Sequence, residues 1–168
     1  MRNKHEIIIA SLSVLIAVFA LFAAIWSGIE TRSHNRLSVR PSLNFDIDFT
    51  NNQEYAGLLL SNKGLGPAVI KEFSVFLDSS KMPDLGFSGI KTAISNLDID
   101  EPWIDIISLG DQDVLRSTET IPILTISKEN TNENRVIILR RILGRISIKI
   151  KYESMYKEPD EVEFKGIK

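Results

Sequence analysis

Residues 55–77 read YAGLLLSNKGLGPAVIKEFSVFL, two apolar runs divided by a cluster of turn formers. Tyr55 to Ser61, with its Leu58-Leu59-Leu60 core, has the continuous apolar character of a central strand, and Ala68 to Leu77 is a second run rich in β-branched and aromatic residues. Between them Asn62-Lys63-Gly64-Leu65-Gly66-Pro67 supplies the residues that reverse a chain, so the spacing predicts a hairpin. In that reading Gly64 and Gly66 allow positive φ and Pro67 stiffens the exit. Two closely spaced glycines also suit an anion-binding nest. A phosphate loop, however, needs a Lys-Ser/Thr pair and a following helix, whereas Pro67 and a strand follow here. Asn62, Gly64, Gly66 and Pro67 are therefore read as a structural turn.

The same two-residue period extends in both directions. Leu43, Phe45, Ile47 and Phe49 alternate with Asn44, Asp46 and Asp48, and near the end Ile146, Ile148, Ile150 and Tyr152 alternate with Ser147, Lys149, Lys151 and Glu153. The loop through Lys157-Glu158-Pro159-Asp160 leads that last strand into Val162 and Phe164, a second expected hairpin with lysines facing glutamates on its outer side. Trp103 to Leu109 and Ile121 to Ile126 are shorter strands, the latter assigned toward an edge because Pro122 cannot donate to a ladder. Ile90, Ala93, Ile94 and Leu97 fall at helical spacing with Ser88 placed to cap them, and another helix is expected from Asn132 to Leu143. About seven short strands without βαβ alternation indicate a mainly β domain, an antiparallel immunoglobulin-like sandwich with one or two short helices. The cysteine and tryptophan signature of true immunoglobulin domains is missing.

Upstream, Ile7 to Ile29 holds 19 apolar residues in 23 positions and no charge. As a helix it would extend roughly 34 Å, slightly more than the hydrocarbon core of a bilayer. Arg2 and Lys4 precede it, and Trp26 lies near its far end, where an indole keeps its ring in acyl chains and its N–H among headgroups. A cleavable signal peptide is the rival reading, but its apolar region runs only about 7–15 residues, and no Ala-x-Ala site lies near the end of this stretch. The chain is accordingly divided into a tail (1–6), a transmembrane helix acting as signal anchor (7–29), a polar juxtamembrane linker (30–41) and a β-sandwich domain (42–168). Pro41 turns Arg40 away from helix in that linker. Lys and Arg are nearly balanced across the span, so charge alone does not orient it. The short basic tail, and the ease with which long domains translocate, favour an extracytoplasmic C-terminal domain.

His34-Asn35-Arg36-Leu37-Ser38-Val39-Arg40-Pro41, followed by Leu60 to Ile70 with its N-x-G-x-G-P-A turn, resembles a group of small bacterial single-pass membrane proteins. These have an N-terminal anchor, a stalk of this type and the turn inside a β-sandwich-like domain, and they look like proteins with no assigned activity. The resemblance covers Ile7 to Leu77 and implies an inner-membrane location.

Composition excludes much chemistry. With no cysteine, the chain has no disulfide, thiolate nucleophile, cysteine zinc site or iron–sulfur cluster, and its only histidines, His5 and His34, flank the membrane segment. Ser88-Gly89-Ile90-Lys91 matches the Ser-x-x-Lys spacing of a lysine-activated nucleophile, but the Ser-Asp-Asn and Lys-Thr-Gly elements that accompany it in penicillin-binding enzymes are absent. Asp98, Asp100, Glu101, Asp105, Asp111 and Asp113 surround Trp103 without the glycine and bidentate glutamate of a helix-loop-helix calcium site. Trp103 with Asp100, Glu101 and Asp105 is therefore assigned as a partner surface, and no metal or cofactor is expected. Residues 42–134 carry 6 basic and 15 acidic side chains and residues 135–168 carry 9 and 5, so self-association or intramolecular pairing is expected and nucleic-acid binding is not. The expected role is a non-catalytic interaction or accessory module on the lipid bilayer, with a protein partner or another copy of itself. The alternatives are a membrane-tethered hydrolase using Ser88 and Lys91, and a cytoplasm-facing accessory subunit of a membrane defence or transport system.

Overall fold

A computed structural model of the chain describes residues 2–49, 55–99, 104–127 and 135–167. It divides into two units, Met1–Ser38 and Val39–Lys168.

The first unit is one helix, α1 (Arg2–Ser38), whose apolar side chains from Ile7 to Ile29 are exposed throughout. It is long and apolar enough to cross a membrane, and none of its apolar window is buried against protein. The helix runs well past the apolar stretch, through residues 30–38 that read in sequence as linker. Nothing there breaks it: Glu30 and His34 pair at i,i+4 (3.0 Å) and Thr31 Oγ1 donates back to Ser27 O (2.7 Å). It stops at Ser38 because Pro41 clashes with a helical carbonyl four residues earlier and disfavours helix at Arg40.

The second unit holds, among the described residues, nine strands and two short helices. One antiparallel sheet has the order β1 (Leu43–Asp48), β2 (Tyr55–Asn62), β7 (Thr120–Ser127) and β5 (Ile104–Ile106). The other runs β4 (Ser80–Leu85), β3 (Ala68–Leu77), β8 (Ile146–Glu153) and β9 (Pro159–Phe164), with β6 (Val114–Leu115) pairing the start of β3. Helices α2 (Gly86–Ser95) and α3 (Arg135–Leu143) complete a mainly β architecture in which both sheets contribute to one apolar core. Leu58, Leu60 and Ile126 enter that core from the first sheet, and Ile70, Val75, Ile148 and Ile150 from the second. Phe45 of β1 meets Phe164 of β9 with ring centroids 5.8 Å apart, so an edge of each sheet touches the other.

The expected hairpin of β2 and β3 does not form. β2 pairs with β1 and β7, β3 pairs with β4, β6 and β8, and the Asn62–Pro67 turn carries the chain from one sheet to the other. Both strands are central in their sheets, which accounts for their continuous apolar character as well as a hairpin would. The second expected hairpin is present, β8 against β9, with Lys149 opposite Glu163 and Lys151 opposite Glu161. β7 is internal and not an edge strand. Pro122 is accommodated because the register with β2 slips there, Leu58 facing Leu124 and Leu59 facing Pro122, so its missing N–H falls at a bulge. A second bulge explains why the inward residues of β3 change parity, from Ala68 and Ile70 to Phe73, Val75 and Leu77: Ile70 faces Tyr152 and Glu72 faces Lys151, leaving Lys71 as the extra residue.

β4 and β6 have no counterpart in the periodicity. β4 follows β3 through a two-residue turn in which Asp78 (φ 49°) and Ser79 (φ 70°) both take positive φ, the geometry that matches strand twist. Arg145 pairs with Asp78 across it, and the guanidinium holds that carboxyl below its usual range. Ile90, Ala93, Ile94 and Leu97 are buried, as their spacing requires. Ser88 does not cap that helix, however: α2 starts at Gly86 with Leu85 at the N-cap and no side-chain cap bond, so Ser88 sits inside the first turn. The helix expected from Asn132 is described from Arg135 onward, and β5 begins at Ile104.

Candidate functional site

Asn62, at the end of β2 and 1% exposed, uses both ends of its side-chain amide. Its Oδ1 accepts from Ser42 N (3.1 Å) and Gly64 N (3.0 Å). Its Nδ2 donates to the carbonyls of Gly66 (2.8 Å), Leu115 (3.2 Å) and Arg116 (3.1 Å). Its own backbone is bonded to Glu119 O and Thr118 N. One amide thus joins three segments: the residues just after α1, the turn between sheets, and the end of β6 with the loop that follows it. A buried amide has two acceptor and two donor directions, and here both ends are used.

The glycines of the turn serve close approach. A Cβ on Gly64 would lie 2.4 Å from Ser42 N and 2.5 Å from Arg40 O, and one on Gly66 would lie 1.6 Å from Val39 O. Neither glycine has positive φ, contrary to the expectation from turn chemistry; the left-handed glycines are Gly86 and Gly166. Lys63 N donates to Ser42 O (2.8 Å) and Gly66 N to Arg40 O (3.5 Å), so the backbone of 39–42 lies flat on the turn. The anion-nest alternative loses its donors, since Gly64 N and Gly66 N already bond within the domain. Val39 to Ser42 and Asn62 to Pro67 are thus brought together.

The other sequence candidates are scattered. Ser88 and Lys91 are both exposed on α2, and no hydrogen bond joins them. Ser88 borders a shallow groove of about 250 Å³ with Lys71, Phe87 and Ser108, which Lys91 does not line. Asp100, Glu101 and Trp103 lie outside the described residues, and Asp105 is exposed in β5. Asp113 Oδ2 accepts from Gly110 N (2.7 Å) as a turn-former, and among the described residues no group of three acidic or histidine side chains is arranged to hold a metal ion.

Periodicity did not single out Glu72. On the outer face of the second sheet it accepts from Lys151 Nζ (2.8 Å), Ser74 Oγ (2.6 Å) and Lys81 Nζ (3.0 Å). Those donors, Lys151 first, hold its carboxyl at about 2 against an ordinary 4.5. With Lys149–Glu161 (2.8 Å) and Lys71–Glu153 (3.3 Å), this face is a lattice of cross-strand pairs, in which Glu72–Lys151 joins the acidic and basic parts of the chain. A folded-state pKa below the unfolded value stabilises above the unfolded pKa, and that contribution is lost as pH falls from about 4.5 toward about 2. Solvent screening limits it to about 1 kcal/mol or less. Glu72→Gln is expected to flatten the acid limb of a stability-against-pH curve in that window, read by urea unfolding at each pH; an unchanged limb would rule the network out as its source.

No protein-family model matches the chain, and comparison with curated proteins returned no match.

Proposed function

We propose that this chain is a single-pass membrane protein, anchored by α1, whose β domain serves as a non-catalytic interaction or accessory module. The observation that carries the reading is α1 itself, a 37-residue helix with its apolar side chains uniformly exposed. In water such a surface is strongly unfavourable, at roughly 25 cal/mol per Å² of apolar area, and a bilayer removes that cost. Support for an anchor over a cleaved leader comes from the length of the apolar run and from the fold of the domain: Val39, one residue after the helix, is already packed on the Gly66 turn. The bacterial inner membrane and an extracytoplasmic β domain belong to the same reading, supported by the stalk and turn resemblance and by the short basic N-terminal tail.

The module reading is supported by the residue types available, with no cysteine and both histidines on α1, outside the β domain. One experiment tests anchor and role together. Membranes from cells making the chain are washed in alkaline carbonate and then extracted in mild detergent. Retention in the washed membranes, and a stoichiometric protein or second copy in the detergent extract, are the expected results. Release by the wash would overturn the anchor, and a reproducibly solitary monomer would overturn the interaction role.

A further inference from the structure

Four segments meet at the end of the β domain where the chain arrives from α1. Residues 39–42 lie on the 62–67 turn, Ser117 Oγ donates to Gly64 O (2.8 Å), and Arg40 pairs with Asp160 (3.0 Å) beside the loop that joins β8 to β9. That loop closes at the same end of the sheet, because Glu153 faces both Val69, at the start of β3, and Pro159. The tips presented there are apolar: Leu65 is 72% exposed, Met155 62% and Tyr156 48%. They contribute nothing to the core. At the opposite end of β3 the turn tip is Asp78-Ser79, polar and exposed.

Loop tips stabilise a turn without large apolar side chains, so three such side chains on two tips at one end call for an apolar neighbour. The length of the tether identifies it. Residues 30–38 separate the apolar run from the domain, and as helix they extend only about 14 Å, while the headgroup layer on each side of a bilayer is about 5–8 Å thick. Val39 is therefore never far from the membrane surface if α1 spans the bilayer. Arg116 and Lys157, exposed in the loops of this same end, suit the level of the lipid phosphates.

We propose that Leu65, Met155 and Tyr156 form a rim that inserts into the interface of the bilayer crossed by α1. This rests on the anchor proposed above. The occupant is a lipid surface and not a protein: separate tips from distinct loops fit a deformable interface, and the tether holds them beside one. The rim would keep the end of the domain that bears the Asn62 turn against the membrane and direct the opposite end to partners.

The absence of native cysteine makes the test direct. Leu65→Cys, Met155→Cys, Ser79→Cys and Ala17→Cys full-length chains, each labelled with an environment-sensitive fluorophore, are reconstituted in phosphatidylcholine–phosphatidylglycerol vesicles containing a lipid with a nitroxide near its headgroup or, for the label at 17, a lipid with a nitroxide at the end of an acyl chain. Leu65 and Met155 are exposed, so their labels should be tolerated, and circular dichroism checks the fold of each variant. The expected result is quenching at 65 and 155 at least about twofold stronger than at 79, with blue-shifted emission. Equal quenching at 65, 155 and 79 while the label at 17 is quenched would overturn the rim and leave the anchor standing. No quenching at 17 would overturn the anchor, and the rim with it. Labels at 65 and 155 that are shielded from an aqueous quencher but unquenched by lipid would mean a protein occupant, which also overturns the proposal.

Discussion

Gly66→Ala is expected to cost the β domain most of its stability. The added methyl would stand 1.6 Å from the carbonyl oxygen of Val39 and 2.4 Å from its carbon. These are backbone atoms, so no rotamer change relieves the overlap, and residues 39–42 must lift off the turn. Lifting them removes the bond from Lys63 N to Ser42 O and the one from Ser42 N to Asn62 Oδ1. Overpacking of this severity, with loss of the attached bonds, is expected to cost about 4 kcal/mol or more, a large part of the total for an ordinary domain. Gly110→Ala is the control, because its Cβ would meet only the Asp113 carboxylate at 3.6 Å, an ordinary contact. Urea unfolding in detergent micelles, followed by circular dichroism, compares the two. Equal midpoints would mean that Val39–Ser42 does not pack on this turn.

Asn62→Leu is the second large effect. The substitution keeps the volume but leaves Ser42 N, Gly64 N and the carbonyls of Gly66, Leu115 and Arg116 without their side-chain partner. Each buried orphan costs about 1–3 kcal/mol, and local relaxation with water entry recovers part of the sum, so a loss of about 3–5 kcal/mol is expected from the same unfolding assay. Asn62→Asp separates the two ends of the amide. Its carboxylate still accepts from the two N–H groups, but it faces three carbonyls where a donor stood. The charged form is disfavoured in the fold, its folded pKa is raised, and the stability of this variant should recover as pH falls. A loss below about 1 kcal/mol in Asn62→Leu would mean that the amide does not join the three segments.

Much of the fold was legible wherever one face of an element is buried. Ile146, Ile148, Ile150 and Tyr152 alternate cleanly and are all buried, and Ile90, Ala93 and Ile94 form the buried stripe of α2, with Leu97 buried just beyond its end. What escaped depends on partners far away in the chain. The Asn62–Pro67 turn has the composition of a hairpin, and only the backbone of residues 39–42 lying against Gly64 and Gly66 makes it a crossing between sheets. Pro122 reads as an edge residue until the bulge opposite Leu58 and Leu59 is known. β4 is a short exposed strand containing Pro83, with no apolar alternation to mark it. At the candidate site, Asn62 was visible as a turn former and invisible as a junction, because Leu115 and Arg116 lie more than fifty residues on. Glu72 escaped for the same reason: its lysines come from β4 and β8.

The proposed role depends on membrane insertion of α1. The uncharged, mostly apolar surface from Ile7 to Ile29 is what a lipid-exposed helix requires, and Val39 is already part of the domain one residue after the helix ends. The most direct measurement is peptide mapping of the chain recovered after the alkaline wash of membranes. A membrane-retained chain that still contains the peptides spanning Ile7 to Ile29 is the predicted result. A soluble chain from which those residues have been removed would contradict the account.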